Sequence, residues 1–385
     1  MNKLNKAMSI VTAVLSLSVI SVFGLMTFFG EKKDRSFDEN RQLAAFPDPS
    51  FKEMYNGSYA EQVDRYMTDH FAGRSKWVYA NDRIQEELSE SIVNGVYVSK
   101  ERLLDTEVSG QDNSLLLENA GIINDFALKY DNATTVYIVA VPSSTGVYGD
   151  ILPSHIISRS ESQKINELYQ LLINKIRTID AYNILKMMKD NYIFYRNDTK
   201  WTSYGAYCVY KTVIQKLGFQ STLYDKYIIE HVTDTFRGDL YNRTLSDKPK
   251  ADLIDIYNCP DSAEVISCER ILNDGSVTAG EIYDRSRLDS SDMYSMYLGE
   301  DVPVLKIKTS NQNDKKLLVI KDSYADCFIP FLIQHYSEII IVSPDQLDRE
   351  LSDIININDY SQTLFLFGIN DLDKEISLEK ITERN

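Results

Sequence analysis

Leu317-Leu-Val-Ile-Lys-Asp-Ser323 opens with four aliphatic residues in a row and closes on an acid and a hydroxyl. An unbroken apolar run fits a strand buried on both faces of a parallel sheet. Residues 316–321 are therefore read as a strand and 325–336 as the helix that follows. In open α/β sheets, functional loops sit at the carboxyl ends of the strands. A serine at this turn exposes its hydroxyl there, with the helix's first N–H groups aimed at any oxyanion that forms. Capping the helix is the plainer role for Asp322 or Ser323, and local sequence alone favours it.

The pattern repeats outward. Val136-Tyr-Ile-Val-Ala-Val141 is a second β-branched run, and residues 338–342 and 363–367 read as two more strands. Helices are read over 53–92, 112–130, Ser160–Ile179 and Ser203–Leu217, the last stopped by Gly218. Residues 221–310 hold short strand-like pieces and turns, and read as a β-rich insertion that leaves the core sheet. The alternation predicts an α/β fold, a largely parallel sheet flanked by helices. After the last strand comes Gly368-Ile-Asn-Asp371. Asn370 is a candidate amide donor to an oxyanion, with an ordinary post-strand turn as the alternative.

The 385 residues, 43% of them hydrophobic, suffice for one large core. A net charge of −16 repels phosphates and argues against a nucleic-acid partner. Lys3 and Lys6 precede an apolar run from Met8 to Phe29. At about 20 residues the run is long enough for a bilayer. It is long for a signal peptide, and no Ala-x-Ala site precedes Gly30. Residues 1–30 are read as an uncleaved anchor in the cell membrane, with a cleaved signal peptide as the competitor. Residues 31–52, with Pro47 and Pro49, read as a linker. Residues 53–385 then form an extracytoplasmic domain that begins with a helical arm.

Four cysteines are present. Bridges Cys259–Cys268 and Cys208–Cys327 are one reading, and four buried thiols the other. No Cys/His cluster has metal spacing, and no glycine-rich phosphate loop occurs, so neither a metal nor a cofactor is expected.

Far from Ser323 lies Tyr195-Arg-Asn-Asp-Thr-Lys-Trp-Thr-Ser-Tyr-Gly-Ala-Tyr207. This resembles the DHHW family and the related alginate O-acetylation proteins, in which Asp-x-His-Trp-(Thr/Ser)-x-x-Gly-Ala supplies two members of a Ser-His-Asp triad. The order of an Asp-Ser block and a later Gly-x-Asn-Asp block resembles the wider SGNH (GDSL-like) hydrolases. Phe37-Asp-Glu-Asn-Arg-Gln-Leu43, Asp69-His-Phe-Ala-Gly-Arg74, Asn94-Gly-Val-Tyr97, Phe236-Arg-Gly238 and Phe328-Ile-Pro-Phe331 look like further landmarks of the family. The resemblance implies an SGNH-like domain and acyl transfer or ester hydrolysis on a cell-surface polysaccharide, most plausibly O-acetylation. It also implies a membrane-bound O-acyltransferase as partner. Ser323 takes the nucleophile's place, Asp198 the orienting acid's, Asn370 the oxyanion donor's, and Trp201 a place where it packs or meets substrate.

The departure is Lys200, which stands where the family has histidine. An ordinary lysine has a pKa of about 10.4 and cannot accept a serine proton at neutral pH. Burial could lower it into a Ser-Lys dyad, but Asp198 two residues away favours the ammonium. Two readings follow: Lys200 as the base of an enzyme, or a degenerate member that binds polysaccharide or scaffolds an acylation complex. His155 and His335 are the substitute bases considered, with His335 expected to point away from Ser323.

Overall fold

The computed structural model describes residues 3–382 apart from 31, 37–40, 50, 88–91, 107–112, 154, 155, 157–159, 261, 262 and 375–377. The chain divides into two compact units, Met1–Glu90 with Asn242–Ser246, and Ser91–Tyr241 with Asp247–Asn385.

In the first unit, Lys3–Phe29 form one helix. Its later turns pack within their own unit: Phe23 stacks on Phe71 at 5.5 Å, and the Ala72 N–H donates to Thr27 Oγ1 at 3.0 Å. Among the described residues no helix is long and apolar enough to cross a membrane, so the expected anchor is not supported. The helix expected over 53–92 is three helices, Phe51–Asn56, Ser58–Asp69 and Arg74–Glu87. The breaks fall at Gly57 (φ 84°) and Gly73 (φ 71°), in the left-handed region where glycine is at ease. Of the landmark Phe37–Leu43, residues 37–40 lie outside the described residues.

The second unit is built on an eight-stranded sheet. Its strands are β1 (Thr135–Val141), β2 (Arg177–Asp180), β3 (Val265–Ile271), β4 (Val277–Ala279), β5 (Val304–Thr309), β6 (Lys316–Lys321), β7 (Glu338–Val342) and β8 (Gln362–Gly368). They lie in the order β4-β3-β5-β7-β6-β8-β1-β2. The five from β7 to β2 run parallel, and β4, β3 and β5 extend them antiparallel.

Strands β3, β4 and β5, which fall within 265–309, therefore belong to the main sheet and are not an excursion from it. Among the described residues of 221–310, Ile228–Phe236 and Asp252–Asn258 make a separate two-stranded sheet. The helix expected to run to Ile179 stops at Leu171, and β2 follows, rich in β-branched residues.

Both faces of the sheet are covered. In β6, Leu317 and Val319 join one apolar core while Leu318 and Ile320 join the other, as a period of two requires. Helix Ser114–Lys129 buries Leu116, Ala120, Ile123 and Ala127 in the second core. Helix Ser203–Lys216 buries Ala206, Val209, Tyr210 and Val213 in the first. None of the four cysteines is in a disulfide, so neither expected bridge forms. Burial pushes the Cys327 thiol up to about 12.

Candidate active site

Three parallel strands deliver their carboxyl ends to one edge of the sheet. The register pairs Lys321 of β6 with Leu366 of β8, and Gly368 of β8 with Val141 of β1. This brings the loops that start at Asp322, Ile369 and Pro142 side by side.

Ser323 lies two residues past the end of β6 and lines a cleft of about 300 Å³ with Asp301, Lys321, Asp322 and Asp371. Its hydroxyl makes no hydrogen bond to a described residue, and its carbonyl accepts from Tyr294 Oη at 3.2 Å. Asp322 shapes the turn. Oδ1 accepts from the Tyr324 N–H at 2.9 Å and Oδ2 from the Gly368 N–H at 2.6 Å. Burial, reinforced by the neighbouring Asp371 charge, pushes the Asp322 carboxyl well above its usual range.

The helix expected after Ser323 is absent. Two 3₁₀ turns, Ser323–Ala325 and Ile329–Leu332, replace it. Residues 328–332 are all buried, so no amphipathic stripe exists, and Pro330 removes a backbone donor. The helix N-terminus invoked as an oxyanion cradle therefore does not exist here.

The Asp198–Trp201 segment is bolted to this turn. Trp201 Nε1 donates to the Tyr324 carbonyl at 2.7 Å, and Tyr324 Oη donates to the Thr199 carbonyl at 3.0 Å. Trp201 is fully buried and stacks on Phe328 at 6.1 Å. It is a packing residue and offers substrate no face. The segment is anchored from behind by buried Asp252, which accepts from the N–H groups of Arg196 and Asn197.

Asp198 is buried. Oδ1 accepts from the Lys200 N–H at 2.9 Å and Oδ2 from the Asp239 N–H at 3.1 Å. Gly238 permits this approach, since a Cβ there would lie 2.0 Å from Asp198 Oδ2. That explains the Phe236-Arg-Gly238 landmark. Lys200 Nζ sits 3.4 Å from Asp198 Oδ1, 3.6 Å from Asp239 Oδ2 and 5.2 Å from the Tyr294 ring centroid. Burial works against the ammonium, yet Asp198 and Asp239 outweigh it and hold Lys200 above the ordinary lysine value. Burial likewise raises the Asp198 carboxyl, with Lys200 pulling the other way. The direction that decides the chemistry is that of Lys200: it stays charged.

Asn370 is engaged elsewhere. Its Nδ2 donates to Glu161 Oε1 at 2.8 Å and its Oδ1 accepts from Lys164 Nζ at 3.3 Å. As oriented, its amide serves this network and not an oxyanion at Ser323. Glu161 also accepts from Ser143 N–H and Oγ at 2.7 and 2.6 Å, and Lys164 pairs with Asp373 at 2.8 Å. Sequence reasoning missed this cluster. The signal available was a Glu and a Lys in the first turn of a helix, which looks like ordinary surface chemistry.

Beside the cleft, buried Lys321 pairs with Asp301 and Asp326. Burial pushes the Asp326 carboxyl up to about 7 despite that lysine. His335 is buried and bonded to Tyr210 Oη at 2.6 Å, within the aromatic packing of Tyr210 and Phe219. His155 lies outside the described residues. Among the described residues no cluster could hold a metal ion.

The model of the family described as DHHW protein matches residues 85–342. Among solved structures, a DHHW family protein from Eubacterium siraeum is 24% identical over 75% of this chain and 95% of its own, with a TM-score of 0.65. Bacillus cereus PatB1, solved with a sulfonyl adduct, is 21% identical over 74% of this chain and 97% of its own, with a TM-score of 0.62. Both share the fold described above. No curated protein matches the sequence.

Proposed function

Because the chain belongs to the DHHW protein family, we propose that it transfers or hydrolyses an O-acyl group, acetyl above all, on a cell-surface polysaccharide through Ser323. The observation that carries this reading is the coupling of the Ser323 turn to the Asp198–Trp201 segment through Trp201 and Tyr324. It keeps a free serine hydroxyl in a cleft, in the place the family's motif assigns to the nucleophile.

In this reading Ser323 Oγ attacks the acyl carbonyl and its proton passes to a carboxylate of the cleft. The donor's alcohol or thiol leaves with that proton. A sugar hydroxyl then attacks the acyl-serine and gives its proton to the same carboxylate, which returns it to the departing Ser323 oxygen. Asp371 is assigned the carboxylate. It lines the cleft with Ser323 and has only Oδ1 paired, to the exposed Lys374 Nζ at 2.7 Å, whereas both Asp322 oxygens already accept backbone N–H groups. Lys200, held as an ammonium, supplies fixed positive charge and not the base. A membrane-bound O-acyltransferase would supply the acyl group, and the site would work outside the cytoplasm.

The ion pair of Lys200 also favours a second reading, a catalytically degenerate component that binds polysaccharide or scaffolds an O-acylation complex. Turnover of an activated aryl acetate across about pH 6–10 separates the two. Activity lost in Ser323→Ala and Asp371→Asn but kept in Lys200→Arg supports the first. No turnover in the wild type, with activity only in Lys200→His, supports the second.

A further inference from the structure

A second concave site, about 480 Å³, shares no lining residue with the Ser323 cleft. It is walled by Arg102, Tyr148, Lys189, Asn191, Tyr192 and Arg196. The Arg102 guanidinium lies 3.5 Å above the Tyr148 ring, and Arg196 lies 4.5 Å above Tyr192.

Three bases and three acids line this pocket, and Arg102 is the base left out of their ion pairs. Arg196 faces buried Asp252 at 3.5 Å, and Lys189 pairs with Asp150 at 2.9 Å. Glu101 and Asp190, the other acids of the rim, are exposed to solvent. Arg102 forms no ion pair with a described residue, and its Nη1 is buried with no hydrogen-bond partner. Burial disfavours its cation, with Tyr148 and Asp252 pulling the other way and the nearby Arg196 charge adding to the burial. A buried, unpaired donor on a charged group is costly. The group that satisfies a guanidinium best is an oxyanion, which it can grip with two parallel N–H bonds.

We propose that this pocket is a binding site for an oxyanion group (carboxylate, phosphate or sulfate), with Arg102 as its anchor and Arg196 and Lys189 beside it. Such a group comes either as a free anion or as the charged substituent of a glycan. The pocket adjoins the catalytic segment in sequence, since the Leu103 N–H donates to the Arg196 carbonyl at 2.8 Å, two residues before Asp198. Occupancy therefore stiffens the segment that carries Asp198. The proposal does not depend on Ser323 being acylated.

The test is titration calorimetry and thermal unfolding of the full chain with inorganic phosphate, sulfate, acetate and a glucuronate oligosaccharide, at constant ionic strength against chloride. Saturable binding is expected, weakened by about tenfold or more in Arg102→Gln and less in Arg102→Lys. Arg102→Gln should still fold in probe-free buffer, because the charge it removes has no ion-pair partner to strand, only the stack on Tyr148. Preference for the oligosaccharide assigns a glycan-borne group, and preference for the inorganic ions a free one. The absence of saturable binding by any probe, or equal binding in wild type and both variants, overturns the site.

Discussion

Lys200 Nζ lies 3.4 Å from Asp198 Oδ1, both side chains nearly out of reach of water. The position that a histidine holds in the family's motif is thus filled by a charge held in place by two carboxylates. Replacing Lys200 with Met should leave Asp198 buried without a cation and cost about 3–5 kcal/mol. Lys200→His should fold and raise ester turnover roughly a hundredfold or more, because it installs a group that can accept the serine proton. Denaturant melts and aryl-acetate rates on the two variants check both statements.

Trp201 is expected to be a strut. Trp201→Phe keeps the stack on Phe328 but leaves the Tyr324 carbonyl without its donor. A loss of about 1–3 kcal/mol is expected, together with slower modification of Ser323. Binding of polysaccharide should be unchanged, which a substrate-platform role would not allow.

Gly238→Ala should be far more damaging than a surface Gly→Ala change. The added methyl would lie 2.0 Å from Asp198 Oδ2, with Asp198 Cβ and Cγ at 2.5 and 2.6 Å. No rotation of a flexible tip relieves that, so overpacking of about 1–3 kcal/mol or more follows. A double variant Gly238→Ala, Asp198→Ala should recover part of the loss in a chemical-denaturation series.

The parts legible in the sequence are those in which one element decides its own pattern. β6, β7 and β8 are unbroken apolar runs between turn residues, and Ser203–Lys216 has a Thr cap and an apolar face. The turn after Ser323 was not legible, because residues 328–332 are buried on every side and carry no period. The Glu161–Asn370 contact joins residues 209 apart, and nothing local in either segment announces the other. The motif at 198–201 marked the site from sequence, but the third party to its charge, Asp239, becomes visible only when Gly238 folds against Asp198.

His335 should govern part of the acid sensitivity. Burial lowers its pKa to about 4, below the ordinary value of about 6.5. A folded-state pKa below the unfolded one gives stability that is present above about pH 6.5 and lost as pH falls towards 4. The contribution is on the order of 3 kcal/mol. Melting curves of wild type minus His335→Gln over that window isolate it from the carboxylates, and a flat difference would contradict it.

The most direct test of the account is intact mass spectrometry of the full chain after exposure to phenylmethanesulfonyl fluoride or an activated acetyl ester, with peptide mapping of any adduct. The account predicts a single added group on Ser323, absent from Ser323→Ala and retained in Lys200→Arg. An unmodified wild type, alongside a Lys200→His variant that does become modified, would contradict it and leave a scaffold whose base has been replaced by an ion pair.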